Sequence, residues 1–387
     1  MTLNCHALKN LIVFGCCLYF LACKTEKKKE ALPISVTETS SIDYASGFDI
    51  QASGDLTIIS VSSPWPNANE PYKYALIPKE KLAVITLNKD EFDAIIPVPV
   101  ESMVVTSTTH IPSLESLGVL DKLTGFPSTD FISSSKARKR IDRKQIKELG
   151  NNEAINTEMV IELQPDVLIG FGINDQNKAY NTIQKANIPV VYNGEWTEKS
   201  PLGKAEWIKF FAPFFRMEKK ADSLFEEIET NYLKAKELVQ TSTKKPTVLT
   251  GGLYKDVWHV AGGDSWMAQF IKDAGGQYLW EDNADSGGLS LSIESVLAKG
   301  QNADFWLNPS MLTTYQDVQS ANAHYTQFDA FANKKIFANT LATGETGGLL
   351  FYELAPNRPD LVLKDLIHIF HPELLPNHQL FFFKPLN

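Results

Sequence analysis

One phrase of the chain returns in altered form: "NTEMVIELQPDVLIG" at 156–170 and "SIESVLAKGQNADFWLN" at 292–308. Each copy opens on a small polar residue suited to cap a helix, Asn156 or Ser292. Glu158 or Glu294 follows two places on, then a short apolar helix pattern, then an aspartate that opens a strand-like run. A chain that writes the same helix entry twice, far apart, is constrained to fold as two similar halves. Its 387 residues agree, being too many for one comfortable core.

The N-terminus reads as a processing segment. Lys9 precedes "LIVFGCCLYFLA", an apolar run of roughly a dozen residues, shorter than the ~20 that span a bilayer. Ala22, Cys23 and the polar run "KTEKKKE" come next. This resembles a lipoprotein signal, which implies a signal peptide over 1–22 and a lipid on Cys23. An ordinary secretory peptide cut nearby is the alternative. Cys5, Cys16, Cys17 and Cys23 are the chain's four cysteines, so the mature body can form no internal disulfide. The charged residues after Cys23 cannot bury themselves, and 23–44 is expected to be a flexible tether.

From 45 to 100 the pattern is strand-like. "DLTIISVSS" and "KLAVITLN" are separated by the turn-rich "PWPNANEPYKYALIPKE", and together they predict a β preamble on the first lobe. Strands then alternate with helices: "MVVTSTT", "IPSLESLG", "DKLTGFP", "NTEMVIEL", "DVLIGFG", "QNKAYNTIQKAN" and "IPVVYN". Such alternation predicts parallel α/β architecture. The stretch 203–241 shows helical apolar spacing at Leu224, Ile228 and Tyr232, with Glu and Lys opposite, and predicts one long bracing helix. A second α/β block follows, from "KPTVLTGG" to "RPDLVLKDLIHIF". The expected fold class is thus two parallel-sheet α/β lobes, 45–202 with the preamble and 242–387, joined by a single long helix over 203–241.

The order of these parts resembles the substrate-binding proteins of ABC importers for iron chelates and cobalamin. The likeness runs from Met103 to Leu375 and includes "AGGQYLWEDN", "LSIESVLAKG" and the closing "PDLVLKDLIHIFHPEL". It implies a ligand cleft between the lobes and a small hinge motion limited by the long helix. It also implies that one glutamate at the tip of each lobe, here Glu158 and Glu294, docks onto arginines of the membrane permease, which works with its ATPase. The implied cargo is a small-molecule metal chelate: an iron chelate (siderophore or haem), with cobalamin as the alternative. The protein is expected to be a monomer with no intrinsic cofactor, lipid-anchored and facing the periplasm.

In parallel α/β lobes ligands collect at the carboxyl ends of strands. "TSTTH" places Thr106 and Thr108 there, "GFGIND" places Phe171, and "YNGEWTEKSPLG" places Glu195 and Trp196. From the second lobe, "GGLYKDVWHVAGGDSW" contributes Tyr254, Trp258 and Trp266, and "DFWLNP" contributes Trp306 and Asn308. "TGETGGLLFYE" adds Thr346 and Tyr352. Aromatic walls with a few polar fixing groups suit a large flat chelate, while each of these rings could equally be core. The basic island at 136–144, including Arg138 and Arg140, reads as a rim for an anionic chelate or as a solvated loop.

Other function classes find less support. The net charge of −9 argues against a nucleic-acid binder. His368 and His371 stand one helical turn apart with His378 beyond, but Pro372 ends the helix, so no metal site is expected there. "GGLYK" and "AGGDS" match neither a phosphate-binding loop nor a nucleophile elbow, so no enzyme is expected; an anchored hydrolase is the alternative.

Overall fold

The computed structural model describes residues 38, 39, 41–68, 70–152 and 154–387. Cys23, the signal 1–22 and most of the tether 23–44 lie outside the described residues. The described end of that tether is pinned rather than loose: the amides of Asp43, Tyr44 and Ala45 donate to the buried Glu206 carboxylate at 2.8–3.0 Å. No described helix is long and apolar enough to cross a membrane.

The preamble is a five-stranded sheet in sequence order, Glu38–Thr39, Phe48–Ser53, Leu56–Val61, Tyr72–Pro78 and Ala94–Val98. "KLAVITLN" is not one of its strands. Tyr72–Pro78 and Ala94–Val98 pair in parallel, so the chain between them must travel back across the sheet and cannot itself join it. The apolar residues of that crossover, Ile85, Leu87 and Phe92, instead cover Leu56, Ile58 and Ile77.

The first lobe is an all-parallel sheet ordered Val190–Tyr192, Val167–Gly170, Met103–Val105, Leu123–Phe126, Lys147–Glu148. The second lobe orders Gln277–Tyr278, Thr247–Thr250, Phe305–Leu307, Ile336–Ala338 and Lys384–Pro385, parallel but for the last pair. A small antiparallel sheet of Gly252–Tyr254, Val257–Ala261 and Gly288–Leu291 adds to it.

The repeated phrase occupies matching places. Helix Thr157–Leu163 feeds Val167–Gly170, and helix Ile293–Gly300 feeds Phe305–Leu307; each strand pairs with its lobe's first strand. The repeated aspartates also do one job. Asp166 accepts from the Glu101 amide at 2.6 Å, and Asp304 from the Thr247 amide at 2.8 Å. Each carboxylate fastens the entry of the strand beside it.

The connecting segment is not one helix. Short turns at Pro201–Glu206, Ile208–Phe211 and Ala212–Phe215 precede the long helix Glu218–Leu238. Pro213 has no amide to donate, and Arg216 takes a left-handed conformation at φ 58°, so the helix restarts beyond it. The long helix still braces both halves. Ala221 and Phe225 enter the first lobe's core, and Tyr232 and Ala235 enter the second's.

Candidate functional site

Strand Met103–Val105 has neighbours whose crossovers leave in opposite directions, so a crevice opens at its carboxyl end. Thr106 sits there, buried, with its hydroxyl 3.1 Å from that of Tyr180 and accepting the Phe171 amide at 3.2 Å. It ties two strand ends together. Thr108, Phe126, Phe131 and Phe171 then face Tyr352 of the second lobe across a cavity of about 660 Å³. Asn151 and Asn152 add amides, and Phe131 and Tyr352 are 70% and 61% exposed, enough to meet a guest.

The lobes touch directly beside this cavity. The Glu353 carboxylate accepts from the amides of Ser133 at 2.6 Å and Ser134 at 2.9 Å, at the start of helix Ser135–Asp142. Thr346 donates to the Asp130 carbonyl at 2.7 Å. Asn357 donates to the Thr109 carbonyl at 2.9 Å and accepts from Ser113 at 2.7 Å. Gly344 allows the approach, since a Cβ there would stand 2.6 Å from the Ser133 backbone.

Trp196 and Trp266 line a second cavity between the lobes, of about 680 Å³. Trp266 is half-buried on Phe270 and Phe351, while Trp196 is 41% exposed. Trp65 in this wall, and Phe131, Asn151 and Asn152 in the first, carry no signal in the sequence beyond a local turn pattern, because their nearness to the crevice is set by long-range pairing.

Several expected cleft residues lie elsewhere. Trp258 and Trp306 are fully buried and stack on each other at 5.4 Å with Tyr325 and Phe328 around them. Their ring N–H groups donate to the carbonyls of Thr250 and Gly251, so both are core. Tyr254 is 67% exposed on a hairpin and lines neither cavity. Asn308 is half-buried and accepts from the Asn339 amide at 3.0 Å, tying two strand ends. Glu195 is buried between the Thr109 hydroxyl at 2.9 Å and the Lys204 ammonium at 3.6 Å.

The basic island is neither rim nor loop at its centre but the helix Ser135–Asp142. Arg138 is buried and donates to the Thr129 carbonyl at 2.6 Å, and Arg140 reaches back to the Asp121 carbonyl at 3.0 Å. Both stitch the first lobe. His371 caps the helix Pro359–Phe370 and is fully buried, His368 contacts the Leu375 carbonyl, and His378 pairs with Asp365 at 2.7 Å. Asp365 also accepts the amides of Phe381, Phe382 and Phe383, which makes it a fastener for the C-terminal segment.

Glu158 and Glu294 are both exposed in first helical turns. Asn156 accepts the Met159 amide at 3.0 Å and Ser292 the Ser295 amide at 3.3 Å, so each helix start is capped alike. The backbone amide of Glu294 and the Ser292 hydroxyl hold the Glu294 carboxyl below the usual carboxylate range.

Glu353 has a pH consequence. Burial pushes its carboxyl up to about 7 against the pull of the Ser133 and Ser134 amides, and the nearby Glu115 charge, itself 3.7 Å from Lys136, adds to the push. A raised carboxyl binds its proton more tightly in the closed, folded molecule. Stability is therefore greatest below the ordinary carboxylate range and is lost as pH rises towards 7, by on the order of 3 kcal/mol. The melting temperature of the wild type is expected to fall between about pH 5 and 7 relative to Glu353→Gln, which cannot ionise. Parallel melting curves for the two would refute this.

Comparison with known proteins follows the same lines. The family model described as "Periplasmic binding protein" matches residues 103–340. An uncharacterised lipoprotein of Methanocaldococcus jannaschii is 27% identical over 320 residues, covering 80% of this chain and 72% of the relative. CeuE of Helicobacter pylori, solved with Ni(II) bound, superposes at a TM-score of 0.56 with 19% identity, covering 73% of this chain and 88% of its own. The periplasmic haem-binding protein HutB of Vibrio cholerae gives 0.53 and 19%, covering 68% and 99%.

Proposed function

The chain belongs to the periplasmic binding protein family, and from that premise we propose that it captures a metal chelate between its lobes and delivers it to an ABC permease. The observation that carries this reading is the cavity at the strand ends, where Thr108, Phe126 and Phe171 face Tyr352 of the other lobe. A guest there touches both lobes at once, so its binding energy favours the closed form. Aromatic faces with hydroxyl and amide groups among them suit a large, partly conjugated chelate better than a bare ion.

The similar haem-binding structure supports haem within this class of cargo, an iron siderophore or haem, with cobalamin as the second candidate. Two capped glutamates, Glu158 and Glu294, are exposed on matching helices and are the docking points for a permease of paired subunits. The leader sequence and the relative named a lipoprotein support a lipid on Cys23, and in this reading the protein works as a monomer with its body on the periplasmic side of a membrane.

The test is direct titration of the purified protein with haem, a ferric tris-catecholate, a ferric trihydroxamate and cobalamin, read by tryptophan quenching. Saturable binding of at least one, without turnover, is the expected result. No binding by any of the four would overturn the reading.

A further inference from the structure

The cavity where Thr108 faces Tyr352 has no basic rim. Among the described residues its lining holds no lysine, arginine or histidine. Its polar groups are the hydroxyls of Thr106, Ser107, Thr108 and Ser128 and the amides of Asn151 and Asn152. Glu353 is its one carboxylate, and it already accepts the Ser133 and Ser134 amides. The exposed charges where the lobes meet beside the cavity are acidic too, Asp130 next to Phe131 and Glu345 next to Thr346.

The nearby cations are held elsewhere. In the helix Ser135–Asp142, whose N-terminus receives Glu353, Lys136 lies 3.7 Å from Glu115 and Arg138 is buried on the Thr129 carbonyl. Arg140 reaches the carbonyls of Asp121 and Leu123, at the entry of the strand Leu123–Phe126, whereas the cavity lies at that strand's other end. The basic island therefore runs away from the cavity. The amides of His110 and Ile111, where the neighbouring helix begins, are bonded to the carbonyls of Ser107 and Thr108 at 3.1 Å. Lys199 and Lys204, in the other cavity between the lobes, are paired with Asp264 and Glu195. An anion entering beside Thr108 and Tyr352 would shed water without gaining a counter-charge, a desolvation penalty that uncharged cargo avoids.

We propose that this cavity selects metal chelates that carry no net negative charge. The proposal rests on the chelate-binding reading above and narrows it. Hydroxyl, amide and aromatic groups recognise an uncharged complex, and a lining without cations turns polyanions away. Within that reading, uncharged siderophore complexes are favoured over haem, whose propionates are anionic.

Two ferric probes test it, an uncharged trihydroxamate and a trianionic tris-catecholate, which hold the metal in the same all-oxygen coordination. The aromatic lining by itself would favour the catecholate rings, so a preference for the trihydroxamate reports charge. The wild type is expected to bind the trihydroxamate at least about tenfold tighter. Phe131→Arg brings a cation to the cavity from a position that is 70% exposed, and Phe131→Gln removes the same ring without adding charge. The arginine variant is expected to show a preference at least about fivefold smaller than the glutamine variant, with the difference shrinking as salt is raised. Melting temperatures check folding. Should either variant misfold, Tyr352→Arg against Tyr352→Gln repeats the test from the other lobe. A wild-type preference below about threefold, or one for the tris-catecholate, overturns the proposal while the chelate-binding reading stands. Arginine and glutamine variants with the same preference overturn it likewise. Binding of neither probe overturns it as well; if haem and cobalamin fail too, the function falls with it.

Discussion

Replacing Glu158 and Glu294 together by arginine is expected to reduce uptake of cargo by about a hundredfold or more while ligand affinity stays within about twofold. Each glutamate lies in the first turn of its helix, exposed, and lines neither cavity. A carboxylate meeting a permease arginine makes a charge-assisted, oriented contact, and reversing its sign at both tips turns attraction into repulsion. Each arginine also faces the positive end of a helix dipole, which costs about 0.3–1 kcal/mol per site. The variant must therefore be checked for folding, and the Glu158→Gln, Glu294→Gln pair gives the milder comparison. Uptake of labelled chelate into cells carrying the permease, measured beside binding by the purified protein, separates docking from capture. Uptake at the wild-type rate would sink the docking assignment.

Glu206→Ala is expected to lower stability by about 3–5 kcal/mol, a fall of roughly 5–15 °C in melting temperature. Glu206 is fully buried, receives the amides of Asp43, Tyr44 and Ala45, and lies 2.9 Å from the ammonium of Lys209. Lys209 in turn donates to the Ser41 carbonyl at 2.9 Å. Removing the carboxylate leaves a buried cation and three N–H groups without their acceptor. The double variant Glu206→Leu, Lys209→Met is expected to recover part of the loss, since it removes the stranded charge. Calorimetry of the three proteins decides it, and a loss below about 1 kcal/mol in the single variant would refute the account.

Much of the framework could be read from local pattern. Caps at Asn156 and Ser292, the glycine stop after "SWMAQFIKDA" and Pro359 at a helix start all mark real element ends. These signals act within one turn of chain. The cleft was less legible because side-chain direction depends on pairing. Trp258 points inward because Val257 and His259 beside it point outward, and Trp306 lies in a strand buried throughout. Arg138 looked like a charge on a rim, yet its acceptor is the carbonyl of Thr129, reached only once the helix Ser135–Asp142 has formed. Trp65 sits in a proline-flanked turn, and only the pairing of preamble strands carries it to Tyr192.

Glu198 and Glu206 hold the stretch 43–47 chiefly through its main-chain N–H groups. Every residue but proline offers that donor. The hydroxyls of Tyr44 and Ser46 add to this, donating to Glu229 at 2.5 Å and Glu198 at 3.1 Å. Gly47 is fixed as well, since a Cβ would stand 2.9 Å from Trp207. The family model starts at Met103, yet the joint it leaves out is fastened to the lobes through these two buried carboxylates.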